Sequence, residues 1–147
     1  MRRIYTIGYE GADVERFTSA LKGAGVEVLA DVRAIANSRK RGFSKNALRE
    51  ELAVEGIGYN HFIALGTPKP GRTAARAGDG ATLRRIYCDE VLPQPAAREA
   101  FEELAALAKR QPVCLLCFER DPATCHRRLL AERLAERGFE AVDLFAV

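Results

Sequence analysis

Pro112-Val113-Cys114-Leu115-Leu116-Cys117-Phe118-Glu119 is the most apolar stretch of the chain. Its six consecutive apolar residues, bounded by a proline and an acid, are too few for a helix of ordinary length. They read as a strand buried on both faces, the pattern of a parallel sheet. Downstream, Asp121-Pro122 offers an N-cap and a first-turn proline, so a helix is predicted from there to Gly138, and Glu140 to Phe145 reads as a closing strand. Upstream the same alternation recurs. Ile4 to Gly8 reads as a strand, and Asp13 opens a helix with Val14, Phe17 and Leu21 at helical spacing before Gly23 and Gly25 stop it. Val26 to Val32 is a second β-branched run, and Ser44 is the predicted N-cap of a helix through Leu48, Leu52 and Val54 that ends near Gly56. Ile57 to Phe62 is a short extended piece. Leu65 to Gly80, rich in Gly, Pro and Arg, reads as a long loop, and Leu83 to Leu92 and Ala96 to Ala108 read as helices parted at Pro93 and Pro95. Strands alternating with helices predict an α/β fold, a mostly parallel sheet flanked by helices, in one domain over residues 1–147.

The 147 residues, 48% hydrophobic and 29% charged, exclude a disordered chain, a collagen repeat and a disulfide-dense miniprotein. No apolar run approaches the roughly 18–20 residues of a membrane helix. The start Met1-Arg2-Arg3-Ile4-Tyr5 enters strand-like sequence with no signal-peptide core, so no membrane association and a cytoplasmic location are expected. In that setting Cys88, Cys114, Cys117 and Cys125 are expected as four reduced thiols. The oligomeric state is not legible.

The net charge of +3 conceals a polarised chain. Arg33, Arg39, Lys40, Arg41, Lys45 and Arg49 fall in residues 32–49, and Lys69, Arg72 and Arg76 fall in residues 56–78, with no acid in either segment. Of the 23 basic side chains nine lie there, leaving 14 against all 20 acidic ones. An anionic small molecule or a nucleic-acid phosphate is the expected partner.

In open sheets of this class ligands lie beyond the carboxyl ends of the strands. Gly8-Tyr9-Glu10, Asp31-Val32-Arg33, Tyr59-Asn60-His61 and Cys117-Phe118-Glu119 all stand at such ends. Cys114 and Cys117 have CxxC spacing, but i and i+3 of a strand face opposite sides, so Cys114 reads as core, as does Cys88. Cys117 shares a face with Glu119. Cys125 lies in the first turns of the predicted last helix, where the positive helix end and neighbouring arginines lower a thiol pKa. With His126 and Arg127 it offers a thiolate, an imidazole and a guanidinium, and the alternative is a thiol that packs inward. Asp31 can orient Arg33 toward phosphate or sulfate, or the two can form a structural pair. His61 can act as a base, an oxyanion donor or a metal ligand, but with only two histidines a catalytic metal set would have to borrow Cys117, Cys125 or Asp31, so neither metal nor cofactor is expected. Gly8 permits close backbone approach but belongs to no GxGxxG or P-loop pattern. Tyr9 can stack on a ligand or pack, and Arg39-Lys40-Arg41 can contact phosphates or face solvent.

Thr6-Ile7-Gly8-Tyr9-Glu10-Gly11, Asp31-Val32-Arg33 followed by Ser38, Tyr59 with His61, Leu65-Gly66, Cys117-Phe118-Glu119 and Cys125-His126-Arg127 together resemble the domain-of-unknown-function 488 (DUF488) family, in order and over nearly the whole chain. The resemblance implies a small α/β domain and no activity. It selects Gly8, Asp31, Arg33, Tyr59, His61, Cys117, Glu119, Cys125, His126 and Arg127. The chain departs from the family pattern at Ala36, usually proline, and at Thr67, usually a second glycine. Two functional readings are open. One is an enzyme on a phosphate- or sulfate-type anion, with Cys117 or Cys125 as thiolate, Arg33 and Arg127 on the oxyanion with Gly8, Tyr9 and His126 around it, and Asp31, His61 or Glu119 moving protons. The other is a nucleic-acid or nucleotide-phosphate binding module in which Arg39, Lys40 and Arg41 hold phosphates without catalysis.

Overall fold

The computed structural model describes residues 2–146; Met1 and Val147, the ends of the predicted domain, lie outside the described residues. Five strands, β1 (Arg2–Gly8), β2 (Val28–Asp31), β3 (Gly58–His61), β4 (Val113–Cys117) and β5 (Phe139–Leu144), form one sheet in the order β3-β2-β4-β1-β5. Every pairing is parallel. The apolar run at residues 113–118 becomes the central strand because both of its faces are covered.

Alternation along the strands sorts the core into two layers. Cys114 and Leu116 join Ile7, Leu29 and the inward residues of α1 (Val14–Gly23) and α2 (Lys45–Val54), Phe17, Leu21, Leu48 and Leu52. Val113 and Leu115 join Ile4, Val28 and Ala30 on the other face, under α3 (Lys69–Arg76), α4 (Gly80–Arg85), α5 (Pro95–Arg110) and α6 (His126–Ala135). Asp13 caps α1, its carboxylate accepting from Arg16 N at 2.8 Å, and Gly25 leaves the helix at φ +78°.

Two expectations for the secondary structure are corrected. Residues 69–76 form helix α3, not a loop. Its buried face is made of Gly71, Ala74 and Ala75, residues too small to produce an apolar stripe of the usual kind. Asp121 does cap, its carboxylate accepting from Ala123 N, but only a single 3-10 turn over Pro122–Thr124. Cys125 then turns extended (φ −130°, ψ 147°) and becomes the N-cap of α6, so its thiol stands at the head of the helix and not within its first turns. The segment 83–92 is helical as expected, α4 running into a π-helical turn over Ile86–Val91.

Connections from β1 and β2 run toward β3, whereas the connection from β4 runs back past β1 to β5. This reversal opens a crevice at the carboxyl ends of β1, β2 and β4, the position at which sheets of this class bind ligands. Among the described residues no helix is long and apolar enough to cross a membrane.

Candidate functional site

A cavity of 480 Å³ occupies that crevice. Tyr9 follows β1, Arg33 and Arg39 come from the loop after β2, and Cys117, Phe118 and Glu119 come from the end of β4. Thr67 and the α3 residues Lys69, Arg72 and Arg76 close the far side, and His126 at the head of α6 completes the wall. Among the described residues Arg39, Lys69 and Arg76 form no ion pair and Arg72 Nη1 donates to Thr67 O at 2.8 Å, while Glu119 is the single carboxylate in the lining. The Thr67 hydroxyl is buried against the cavity with no hydrogen-bond partner among the described residues. Gly71 is required beside it, because a Cβ there would stand 2.0 Å from Thr67 Cγ2.

The sulfurs of Cys117 and Cys125 are bonded, so the expectation of four reduced thiols is corrected: this pair is joined, and Cys88 and Cys114 are free. The β4 alternation that sends Cys114 into the α1–α2 layer turns Cys117 toward α6, and the extended Cys125 reaches back to meet it. Arg127, wholly buried, points Nη1 at Cys117 Sγ (3.0 Å) and at the Glu119 carbonyl, and Nη2 at the Arg120 carbonyl (3.1 Å). Its Nε has no partner among the described residues. Burial depresses its pKa, and burial raises that of Glu119, whose Oε2 lies 3.6 Å from Cys117 Sγ.

His126 Nε2 bonds to the Val32 carbonyl at 2.7 Å, and because a carbonyl only accepts, Nε2 carries the proton. Nδ1 is left with its lone pair, 3.8 Å from Cys125 Sγ. Burial drives the imidazole pKa from 6.5 to about 4, so the ring is neutral near pH 7. The unfolded chain binds this proton more readily than the folded one, so stability falls as pH drops from 6.5 toward 4 and the loss is complete below 4. The share of this one residue is on the order of 3 kcal/mol. The expected result is that urea midpoints at pH 7 and pH 4.5 differ less in His126→Gln than in the parent; equal differences would contradict it.

Asp31, fully buried, accepts from Arg33 N (3.0 Å), Nε (2.9 Å) and Nη2 (2.7 Å) and from the Tyr59 hydroxyl. Arg33 Nη1 donates to the Phe43 carbonyl at 2.7 Å, and its guanidinium lies over the Tyr9 ring, which stacks on Phe43. Burial alone would lower the Arg33 pKa, but the bonds and charge of Asp31 more than offset it and raise it; burial and the Asp31 bond also raise that of Tyr59. Arg33 therefore borders the cavity with its fork closed on Asp31, and Asp31 does not reach the lining. His61 bonds through Nε2 to the Arg33 carbonyl and opens into a separate recess with Lys45, Arg49 and Glu103. Gly8 supplies proximity: a Cβ there would lie 1.7 Å from the Glu119 carbonyl oxygen. Lys40 and Arg41 lie on the loop outside the lining.

The structure thus brings Tyr9, Cys117, Glu119, Cys125, His126 and Arg127 together and sets His61 apart. The residues missed as site members, Thr67, Lys69, Arg72 and Arg76, belong to or adjoin the unrecognised helix. Small residues at 71, 74 and 75 were the available signal for it.

The family profile of the domain of unknown function DUF488 matches residues 13–134. The chain belongs to the DUF488 family. No curated protein and no solved structure matches it. The DUF488 match spans α1 to the last turn of α6 and so includes every cavity residue except Tyr9.

Proposed function

We propose that this cavity binds a phosphate- or sulfate-type anion and brings it against the Cys117–Cys125 pair, which in its reduced form makes the chain a thiol-dependent enzyme. One observation carries the reading: Arg39, Lys69, Arg72 and Arg76 face a single carboxylate across a cavity whose wall includes Cys117. Cations gathered around a recess attract anions, and low-dielectric walls strengthen the field. The unpaired Thr67 hydroxyl offers a further donor. The Arg127 Nη1 contact favours a thiolate at Cys117, and burial raises the pKa of Glu119, a carboxyl placed beside that sulfur to exchange a proton. Arg33 and Arg127 serve here as positioning residues, since the Arg33 fork and the two terminal nitrogens of Arg127 are taken up by the protein.

The test is alkylation of the reduced protein with iodoacetamide, read cysteine by cysteine by mass spectrometry. Cys117 or Cys125 is expected to react well below the ordinary thiol pKa of about 8.5 and to be shielded by phosphate. Lys69→Glu with Arg76→Glu is expected to remove the shielding. Slow reaction of both thiols, untouched by phosphate, would defeat the reading.

A second reading, a nucleic-acid binding module, is favoured by Ile35 and Phe118, both exposed at the cavity mouth beside Arg39. It predicts salt-dependent binding of a thymidine oligonucleotide that survives Cys117→Ser and Cys125→Ser. Neutralising Arg39, Lys40 and Arg41 should weaken that binding and flatten its salt slope. Binding indifferent to salt and to those three charges would exclude it.

A further inference from the structure

We propose that Cys117, Cys125 and His126, once the two sulfurs are reduced, form a Cys2His site for a soft divalent metal such as zinc, with a fourth position open to the cavity. The two sulfurs and the His126 ring nitrogen all lie within 4.8 Å of one another and are buried. The imidazole is already oriented as a ligand: its Nε2–H is held by the Val32 carbonyl, an arrangement that fixes the tautomer and aims the Nδ1 lone pair at the sulfurs. That lone pair has no other described partner.

The distances fit. Zinc bound at about 2.3 Å to sulfur and 2.0–2.1 Å to nitrogen in a tetrahedron separates sulfur from nitrogen by roughly 3.5 Å and the two sulfurs by roughly 3.8 Å. Cys125 Sγ and His126 Nδ1 stand 3.8 Å apart. The Cys117 and Cys125 Cα atoms are 7.2 Å apart, a wider span than most disulfides close over and one that suits sulfurs held on either side of an ion. Three protein ligands with a vacant fourth position are the pattern of a catalytic and not a structural zinc. The Arg127 Nη1 contact with Cys117 Sγ supplies an outer hydrogen bond to one thiolate. Two thiolates neutralise a divalent ion, so Arg127 leaves the site favourable to an anionic fourth ligand from the cavity side.

Loading proceeds in two balanced steps. A phosphine with one water delivers two electrons and two protons to the S–S bond, giving two thiols and the phosphine oxide. The ion then displaces the two thiol protons to the buffer. The inference does not rest on the anion reading, because the ligands can be tested with no anion present.

The experiment is a titration of the phosphine-reduced full chain with Co²⁺ in a phosphate-free buffer, followed by absorption. The expected result is one equivalent bound, with a thiolate-to-cobalt charge-transfer band and the strong visible bands of a tetrahedral ion. Zn²⁺ should bleach both. Cys125→Ser and His126→Ala, checked for folding by circular dichroism, should each weaken binding by more than about 100-fold, beyond the 10–100-fold typical of losing an outer-shell partner. Cys88→Ser, in a side chain that lines a separate recess, should leave binding intact. A reduced parent chain without the charge-transfer band overturns the proposal with no variant needed, and so does binding that persists in folded Cys125→Ser or is equal in the oxidised chain. Phosphate shielding of a metal-free chain would leave the anion reading standing alone.

Discussion

Asp31→Ala is expected to lower the unfolding free energy by about 3–5 kcal/mol, the range for breaking a buried ion pair by removing one partner. The reason is the charge left behind. Asp31 accepts three hydrogen bonds from Arg33 and one from Tyr59, with no exposed surface of its own. Its loss leaves the Arg33 guanidinium, itself only 5% exposed, with the Phe43 carbonyl and a weak contact to Tyr9 as partners and no countercharge. The effect should reach the cavity too, because Arg33 holds the loop carrying Arg39 against Tyr9 and Phe43. Urea denaturation is the direct test, read as a fall in midpoint at constant slope. Removing both charges, as in Asp31→Leu with Arg33→Met, should recover part of the loss, since a matched apolar pair avoids the stranded charge. A loss below about 1 kcal/mol in Asp31→Ala, the scale of an exposed pair, would show that solvent reaches the pair in solution.

Gly8→Ala should cost about 3 kcal/mol or more, at or beyond the upper end of ordinary overpacking. The new Cβ would sit 1.7 Å from the Glu119 carbonyl oxygen and 2.9 Å from Arg120 N, all backbone atoms with no rotamer to yield. The segment after β4 must then move away from β1. The Glu10 N bond to the Phe118 carbonyl (2.9 Å) would be lost, and with it the carbonyls that Arg127 grips. Phosphate shielding of the thiols should fall together with stability. Gly23→Ala is the control, because nothing lies within 4 Å of its added Cβ, and it should be neutral or slightly stabilising. An unchanged urea midpoint in Gly8→Ala would mean that β1 and the Glu119 segment are not packed as described.

Much of the fold was legible because it rests on periodicity. The apolar run at 113–118 and the strand–helix alternation fix a parallel sheet, and the alternation within β4 separates Cys114 from Cys117 before any contact is seen. Helix α3 escaped detection since burying Gly71, Ala74 and Ala75 requires a close neighbour that local pattern does not reveal. The reach of α6 was overestimated at its start because Asp121-Pro122 is a good cap for one turn, whereas the extended break at Cys125 depends on its being drawn toward Cys117. Arg33 and Arg127 carried the right chemistry for an oxyanion, yet whether a guanidinium is available depends on which carbonyls and carboxylates surround it. Asp31 and Phe43 take up the first, and Glu119 and Arg120 the second.

By itself the sequence determined the α/β class, the family membership, the faces of the central strand and the two basic, acid-free segments, since each depends on residue order, alternation and charge along the chain. Only the tertiary structure decided the strand order β3-β2-β4-β1-β5, the meeting of Cys117 with Cys125 and His126, the removal of His61 to another recess, and the assignment of Lys69, Arg72 and Arg76 to the cavity. Those outcomes depend on how distant segments pack once both faces of the sheet are covered. Hydrogen bonds and ion pairs across that packing, not spacing along the chain, determine which side chains are spent inside the protein and which remain for a ligand.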